Sequence, residues 1–357
     1  MRGIDINGKF LGAPLNGVHR TAAEFSEQLL TKAPSAAHAR IVAPRPFTPS
    51  AEFAHVVPQL KPGALGAGQA WEMLTLPWIS RGRLLVNFCN LAPLLHPNNV
   101  VMIHDAQTFL FPEDYTGRQA KAYRRMLPWI GRRARRILTV SAFARKSLID
   151  CGIAQEDKID VVHNGTDHLL RHAEDPSILE RFSLKPGKYV LALGSSKGYK
   201  NLRTVFAALG EPLPGAQPLV VAGGPAEQAY LSKGWRPPTD TIFTGFVSDA
   251  QLRALYGGAG AFLFPSLTEG FGLPPVEAMH ASTPVIAAAA GAMPEVCADG
   301  ALLVPPNDPS AWRDAITAVL DTPDLASDLV QRGHQRAGQL TWNAAGDRLW
   351  QVIAPLL

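Results

Sequence analysis

Pro265-Ser266-Leu267-Thr268-Glu269-Gly270-Phe271-Gly272-Leu273-Pro274-Pro275-Val276-Glu277-Ala278-Met279 decides how the rest of the chain is read. Just before it, Ala261-Phe262-Leu263-Phe264 is a short apolar run of the kind a strand buried on both faces requires. Within it, Pro274-Pro275 suits the first turn of a helix, where a missing N–H costs no hydrogen bond. The stretch therefore reads as a glycine-rich turn that carries the chain from the C-terminal end of a parallel strand into a helix N-terminus. Backbone N–H groups and the positive end of the helix dipole meet at such a turn and favour an anion. Glu269 in the turn and Glu277, expected in the first turn of the helix, flank that anion site. Carboxylates repel phosphate but accept hydrogen bonds from sugar hydroxyls, so the combination points to a phosphorylated, hydroxyl-rich ligand such as a nucleotide-sugar. Spacing alone also fits a purely structural turn, with Glu277 favoured by the helix N-terminus and Gly270 and Gly272 shaping the bend.

Working outward, residues 189–202 repeat the arrangement. Tyr189-Val190-Leu191-Ala192-Leu193 is an apolar strand, Gly194-Ser195-Ser196-Lys197-Gly198-Tyr199-Lys200 is a loop with glycines and lysines, and a helix follows, making a second cradle for phosphate. Residues 218–224 and 241–247 read as further strands ending near glycines, and Ser248 as the cap of the next helix. Residues 284–288, 294–296 and 301–306 continue the alternation beyond the central stretch.

The N-terminal half follows the same rhythm. A strand is expected over residues 1–8, then a loop containing Asn16-Gly17-Val18-His19-Arg20, then a helix from about Thr21 to Leu30. Strand, Gly/Pro-containing turn and helix open a doubly wound α/β domain, but no G-x-G-x-x-G is present, which argues against a dinucleotide site. Residues 33–80 are rich in Pro, Ala and Gly and give no clear pattern. Strands over 83–88 and 99–103 follow, and the second delivers His104 to the place where ligands of open α/β sheets collect. Taken alone, a single His is more often structural than catalytic. Ser141 is placed to cap a helix from Phe143 to about Cys151, and the stretch around Glu174-Asp175-Pro176 reads as a linker.

A length of 357 residues suits two domains, each with its own core, and 46% hydrophobic with 18% charged residues is ordinary for a globular protein. No apolar run approaches the ~20 residues that span a bilayer, and the first residues do not read as a signal peptide. Cys89, Cys151 and Cys297 are scattered without metal-ligand spacing and read as reduced thiols of a cytosolic protein. The net charge of +4 is unevenly spread: residues 115–149 contain no Asp or Glu but ten Lys or Arg. Tyr123, Met126, Leu127, Trp129 and Ile130 interleave with Arg118, Lys121, Arg124, Arg125, Arg132 and Arg133, and Pro128 and Gly131 are expected to interrupt the helix. Such a segment over 118–136 suits an anionic membrane surface or a solvated face packed on the core. Nucleic acid is disfavoured because no recognised binding motif accompanies the charge.

The run Ser-x-x-Glu-Gly-Phe-Gly-Leu-Pro-x-x-Glu-Ala-Met over 266–279 resembles the Glu-x7-Glu signature of the family 4 retaining glycosyltransferases. Lys200-Asn201 matches that family's Lys-Asn, His104 matches its strand-ending His, and Asn-Gly-Val-His-Arg is similar to the Thr-Gly-Val-Gln-Arg of related polysaccharide enzymes. The resemblance implies an α/β architecture of the GT-B type, two Rossmann-like doubly wound domains facing across a cleft. It places an acceptor-side domain at 1–168, a nucleotide-sugar domain at 169–340, and a helix over 341–357 crossing back to the first. It implies transfer of a hexose from a nucleotide diphosphate to an acceptor hydroxyl with retention, giving an α-linkage.

Residue by residue, the resemblance gives catalytic roles to His104, Lys200 and Glu269. His104 would contact the sugar, Lys200 the departing diphosphate, and Glu269 the sugar hydroxyls. Donor binding falls to Gly17, Ser195, Lys197, Gly270, Phe271, Gly272 and Leu273, to Phe246 and Val247 beside the nucleobase, and to Glu277 on the ribose. Many relatives carry an Arg in the 194–200 loop. Here Ser195 and Tyr199 stand in its neighbourhood, so either Lys197 substitutes or the diphosphate is held with one cation fewer. Relatives usually have Gly where Ser282 stands.

No cofactor is implied, the nucleotide-sugar being a substrate. No Asp-x-Asp occurs in the chain, which omits the usual ligand pair for a diphosphate-bound metal. The nearest likeness is to bacterial exopolysaccharide and lipopolysaccharide mannosyltransferases that use GDP-mannose, with UDP-glucose or another nucleotide-hexose as the alternative donor. The implied acceptor is a saccharide or a polyprenyl-diphosphate-linked saccharide, handled in the cytoplasm or on the inner face of the plasma membrane. A nucleotide-sugar epimerase or dehydrogenase would need a dinucleotide fingerprint and a Tyr-x-x-x-Lys pair, neither of which is assembled. A silent scaffold that kept the fold is opposed by the joint presence of His104, Lys200, Glu269 and Glu277.

Overall fold

The computed structural model describes residues 3–14, 16–45, 53, 56–63, 66–171, 173–211 and 217–357. The first two residues of the expected opening strand, Leu15 of the 9–20 loop, and parts of 33–80 lie outside the described residues. The chain divides into two compact units, Met1–Gly165 with Trp342–Leu357, and Thr166–Thr341.

The first unit is built on a parallel sheet. Its described strands are β1 (Ile4–Asn7), β2 (Arg40–Arg45), β3 (Gln59–Pro62), β4 (Leu84–Asn87), β5 (Asn99–Met102), β6 (Arg136–Thr139) and β7 (Ile159–Val161), in the order β3-β2-β1-β4-β5-β6-β7. β1, β4 and β5 are buried along their whole length, as strands covered on both faces must be. Asp5 in β1 is fully buried and held by two guanidinium groups, Arg40 Nε at 2.7 Å and Arg83 Nε at 2.6 Å. The helix expected from Thr21 begins earlier and spans Gly17–Lys32, because the Asn16 side chain accepts from the His19 N–H and caps it. The helix Trp342–Ile353 packs on it, with the Trp342 ring edge-on to Phe25 at 5.2 Å.

The basic helix departs from expectation. It runs unbroken over Gly117–Arg133, with Pro128 inside it. Gly131 is no breaker either: a Cβ there would stand 1.8 Å from the carbonyl oxygen of Ile153, so glycine is what lets the helix lie against that backbone. Ser141 caps the next helix, Ala142–Asp150, its hydroxyl accepting from the Ala144 N–H.

The second unit carries β8 (Val190–Leu193), β9 (Leu219–Ala222), β10 (Ile242–Gly245), β11 (Ala261–Phe264), β12 (Val285–Ala288) and β13 (Leu302–Val304), in the order β10-β9-β8-β11-β12-β13. The reversal of chain order falls between β8 and β11. That is the switch point at which open α/β sheets bind ligands, and the two glycine-containing loops follow these two strands. Ser248 and Gln251 form a reciprocal capping box on the helix Asp249–Gly258. Glu174-Asp175-Pro176 is no linker but part of this unit: the Asp175 N–H donates to the Ala250 carbonyl, and Glu174 pairs with Arg253 at 3.4 Å. Ser282 occupies a left-handed conformation, φ 61°, the region that favours glycine.

Candidate functional site

In the second unit the loop after β8 and the turn after β11 are stitched together. The Leu267 N–H donates to the Tyr199 carbonyl at 2.7 Å. The buried Asn201 donates through Nδ2 to the carbonyls of Pro265 (3.2 Å) and Pro306 (2.7 Å), from a left-handed backbone, φ 54°. Between loop and turn lies a cavity of about 260 Å³, lined by Gly194, Ser195, Lys197, Tyr199, Lys200 and Pro274 among others.

Cations gather at this cavity. Lys200 Nζ donates to Glu269 Oε1 at 2.6 Å, and it lies 5.4 Å from the centre of the Tyr199 ring and 5.7 Å from that of Phe264. Lys197 Nζ stands 5.5 Å from the same Tyr199 ring. Two ammonium groups share one aromatic ring, an arrangement that leaves both beside the loop. A third, Lys233, donates to the Ser196 carbonyl from the segment after β9. Sequence reading missed Lys233, since it lies 37 residues from Ser196 in the chain and in no motif.

The helix after the turn spans Leu273–His280 and is capped by Gly272 at φ 90°. At that φ any L side chain is strained, and a Cβ there would also stand 2.3 Å from the Met293 methyl, so glycine is favoured. Pro274 and Pro275 have no N–H, so of residues 273–275 in the first turn Leu273 alone carries one. Glu277 lies in the second turn of the helix, not the first as expected, and is buried. Its Oε1 is 3.1 Å from His168 Nε2 and its Oε2 accepts from the Tyr256 hydroxyl at 3.3 Å. Phe246, next to Val247 after β10, is 91% exposed, an aromatic face open to a ligand ring.

The first unit holds the remaining expected residues. His104 follows β5 and is buried; its Nε2 lies 2.7 Å from the Phe88 carbonyl. A carbonyl only accepts, so Nε2 carries the proton. Burial pushes the imidazole pKa down to about 4, a drop the Phe88 hydrogen bond opposes and the nearby His19 reinforces. The ring is therefore neutral near pH 7, with Nδ1 a hydrogen-bond acceptor. Gly17 is the first residue of its helix, and no atom lies within 4 Å of where its Cβ would stand. Exposed Arg118, Lys121, Arg124, Arg125, Arg132 and Arg133 line the basic helix, with Trp129 exposed among them. Among the described residues, no cluster of three or more His, Cys, Asp or Glu suits a metal ion, and no helix is long and apolar enough to cross a membrane.

Two parallel sheets of seven and six described strands, each flanked by helices, define an α/β protein of the GT-B fold. The profile described as "Glycosyl transferases group 1" matches residues 188–336, and that described as "Glycosyltransferase Family 4" matches 78–168. The chain belongs to the family 4 glycosyltransferases. It is 30% identical to the O-antigen chain mannosyltransferase RfbU of Salmonella typhimurium over 66% of this chain and 64% of that one. It is 29% identical to O-antigen chain mannosyltransferase B of Escherichia coli over 68% and 66%. The chain thus spans just under two thirds of the length of these relatives. Among solved structures, sucrose-phosphate synthase from Thermosynechococcus elongatus superposes with a TM-score of 0.73 at 18% identity, covering 100% of this chain and 99% of that one. Anabaena HepE, solved in complex with UDP and glucose, gives 0.74 at 17% identity over 99% and 100%. These likenesses fix the fold.

Proposed function

We propose that this chain transfers mannose from GDP-mannose, with retention of configuration, to a saccharide or polyprenyl-diphosphate-linked saccharide during polysaccharide biosynthesis. The observation that carries the reading is the Lys200–Glu269 pair at the mouth of the 194–200 loop, where a phosphate partner and a hydroxyl acceptor sit 2.6 Å apart. The two mannosyltransferase relatives favour mannose as the sugar.

The physical task is to stabilise a departing diphosphate beside an oxocarbenium-like sugar. Lys200 and the Leu273 end of its helix take the developing phosphate charge. Lys197 stands in for the family's Arg, its ammonium contacting the same Tyr199 ring as Lys200. Glu269 accepts from sugar hydroxyls, Glu277 from the ribose, and Phe246 stacks on the base. His104, neutral and offering Nδ1, accepts a hydroxyl of the transferred sugar. The leaving phosphate takes the acceptor's proton, so no separate protein base is needed. With no Asp-x-Asp in the chain, the reaction runs without a divalent metal. The Gly117–Arg133 helix rests on the anionic inner face of the plasma membrane, which brings the enzyme to a lipid-linked acceptor.

The test is product analysis. GDP-mannose and UDP-glucose are each incubated with the protein and a lipid-linked saccharide acceptor, with and without EDTA, and the anomeric configuration of the product is read by NMR. An EDTA-insensitive α-mannoside supports the proposal. A β-linked product overturns retention, and turnover of UDP-glucose alone overturns the sugar.

A further inference from the structure

We propose that His168 and Tyr256 are positioning residues for Glu277, fixing its carboxylate in one orientation for the donor ribose, and that His280 anchors the same helix. The inference rests on the donor reading above.

Glu277 is 7% exposed, His168 3% and Tyr256 fully buried. Each carboxylate oxygen has its own protein donor, Oε1 from His168 and Oε2 from Tyr256. The Tyr256 ring is itself held edge-on by Phe262 at 5.1 Å. A carboxylate offers about four acceptor positions. Two are used by these neighbours, and the rest remain for ligand hydroxyls at a fixed angle. An unsupported Glu would swing through several rotamers, and a shift of ~1 Å in a positioning group is enough to cost ~100-fold in rate.

His280, one turn along the helix, is tied to the place where the chain enters the second unit. Thr166 Oγ1 donates to the Leu340 carbonyl at 3.1 Å, so it accepts from His280 Nε2, also at 3.1 Å. The Thr166 N–H donates to the same carbonyl at 2.9 Å. Burial lowers the His280 pKa, against the pull of nearby Asp167 and Glu277 and with the help of His168 and His334. It stays neutral, with the proton on Nε2. Arg336, on the neighbouring helix, is turned away to the carbonyls of Val296 and Glu295.

Stability gives no reason for this arrangement. A buried polar network is commonly no more stable than a well-packed apolar cluster of the same volume. A carboxyl group kept in place by two dedicated side chains therefore points to a ligand. Neither His168 nor Tyr256 belongs to a motif visible in the sequence.

Calorimetric titration with GDP and with UDP tests the assignment on the whole chain and on Glu277→Ala, His168→Leu, His168→Gln and Tyr256→Phe. Thermal unfolding of each unliganded protein is followed alongside. His168→Leu is expected to weaken the preferred diphosphate by ~10-fold or more, the usual effect of losing a hydrogen bond to a charged group. His168→Gln, whose amide N–H reaches the Nε2 position, should recover affinity to within ~3-fold, and Tyr256→Phe should lose ~3- to 10-fold. If Glu277→Ala loses binding while His168→Leu and Tyr256→Phe bind as the wild type, the positioning role is wrong and the donor reading stands. If Glu277→Ala binds as the wild type, both fail. Should His168→Leu not fold, Tyr256→Phe decides, and a folded His168→Gln without recovery overturns the role of His168.

Discussion

Lys200→Met is expected to slow turnover by ~10²–10³ while leaving the fold in place. The Lys200 and Glu269 side chains are 29% and 12% exposed, and their 2.6 Å pair opens on a solvent-reached cavity. Exposed pairs contribute ~0–1 kcal/mol, and leaving Glu269 without its partner in a half-buried position adds a cost of similar size, so the total is about 1–2 kcal/mol. For a unit of this size ~1 kcal/mol moves Tm by about 2–4 °C, which limits the drop to ~8 °C. Methionine keeps the apolar stem against Tyr199 and Phe264. The diphosphate, by contrast, loses a full charge. At ~4 Å and an effective dielectric of about 20 a unit charge is worth ~4 kcal/mol, and removing one donor from a transition-state oxyanion costs ~10²–10³ in kcat. The assay is release of nucleoside diphosphate at saturating donor and acceptor, with thermal unfolding measured on the same preparation. A fall in kcat of ~10²–10³ with Tm within ~8 °C is expected. A kcat within tenfold of wild type refutes the assignment of Lys200 to the leaving group.

Other outcomes follow from the same geometry. His104 has a folded-state pKa of about 4 against an ordinary 6.5, so on acidification the unfolded chain takes up this proton first. The stability His104 confers is present above pH 6.5 and is lost between there and pH 4, by about 3 kcal/mol; urea unfolding of His104→Asn should lack that acid limb. Asp5→Ala strands two guanidinium groups against a buried strand and should cost ~3–5 kcal/mol in urea unfolding, whereas a cost under 1 kcal/mol would contradict the buried cluster. Gly131→Ala drives a methyl into the Ile153 carbonyl and should cost ~1–3 kcal/mol, or more if the helix kinks. Replacing Arg124, Arg125, Arg132 and Arg133 by Gln should remove ~4 kcal/mol of binding to phosphatidylglycerol vesicles in a sedimentation assay, at ~1 kcal/mol per cation. Unchanged sedimentation would dismiss the membrane reading.

The strands were legible because parallel strands buried on both faces are written as apolar runs, and the runs at 189–193, 261–264 and 284–288 became β8, β11 and β12 with small shifts at their ends. Caps that act locally were legible too: Ser141 and Ser248 both bond the backbone three residues on. Long-range contacts were not. Gly131 reads as a helix breaker until Ile153 is seen beside it, and Glu174 reads as a linker residue until Arg253 pairs with it. The Lys200–Glu269 pair spans 69 residues and His168–Glu277 spans 109. The resemblance pointed to Lys200, Glu269 and Glu277, but nothing in the order of residues pointed to His168, Tyr256 or Lys233. The Pro-, Ala- and Gly-rich segment 33–80 gave no period because its described elements are short and mixed: β2, β3, and a π turn, Trp71–Thr75, that runs straight into the four-residue helix Leu76–Ile79.

The central claim is that the second unit binds a nucleoside diphosphate through Lys200. Thermal stabilisation of the wild type and Lys200→Met by GDP, UDP, ADP and dTDP, each with and without magnesium, tests it directly. A ligand at 100 times its Kd adds ~2.7 kcal/mol. A rise in Tm with GDP above the other three, the same with and without magnesium and lost in Lys200→Met, is the expected result. No shift with any of the four, or a shift of equal size in Lys200→Met, would contradict the account.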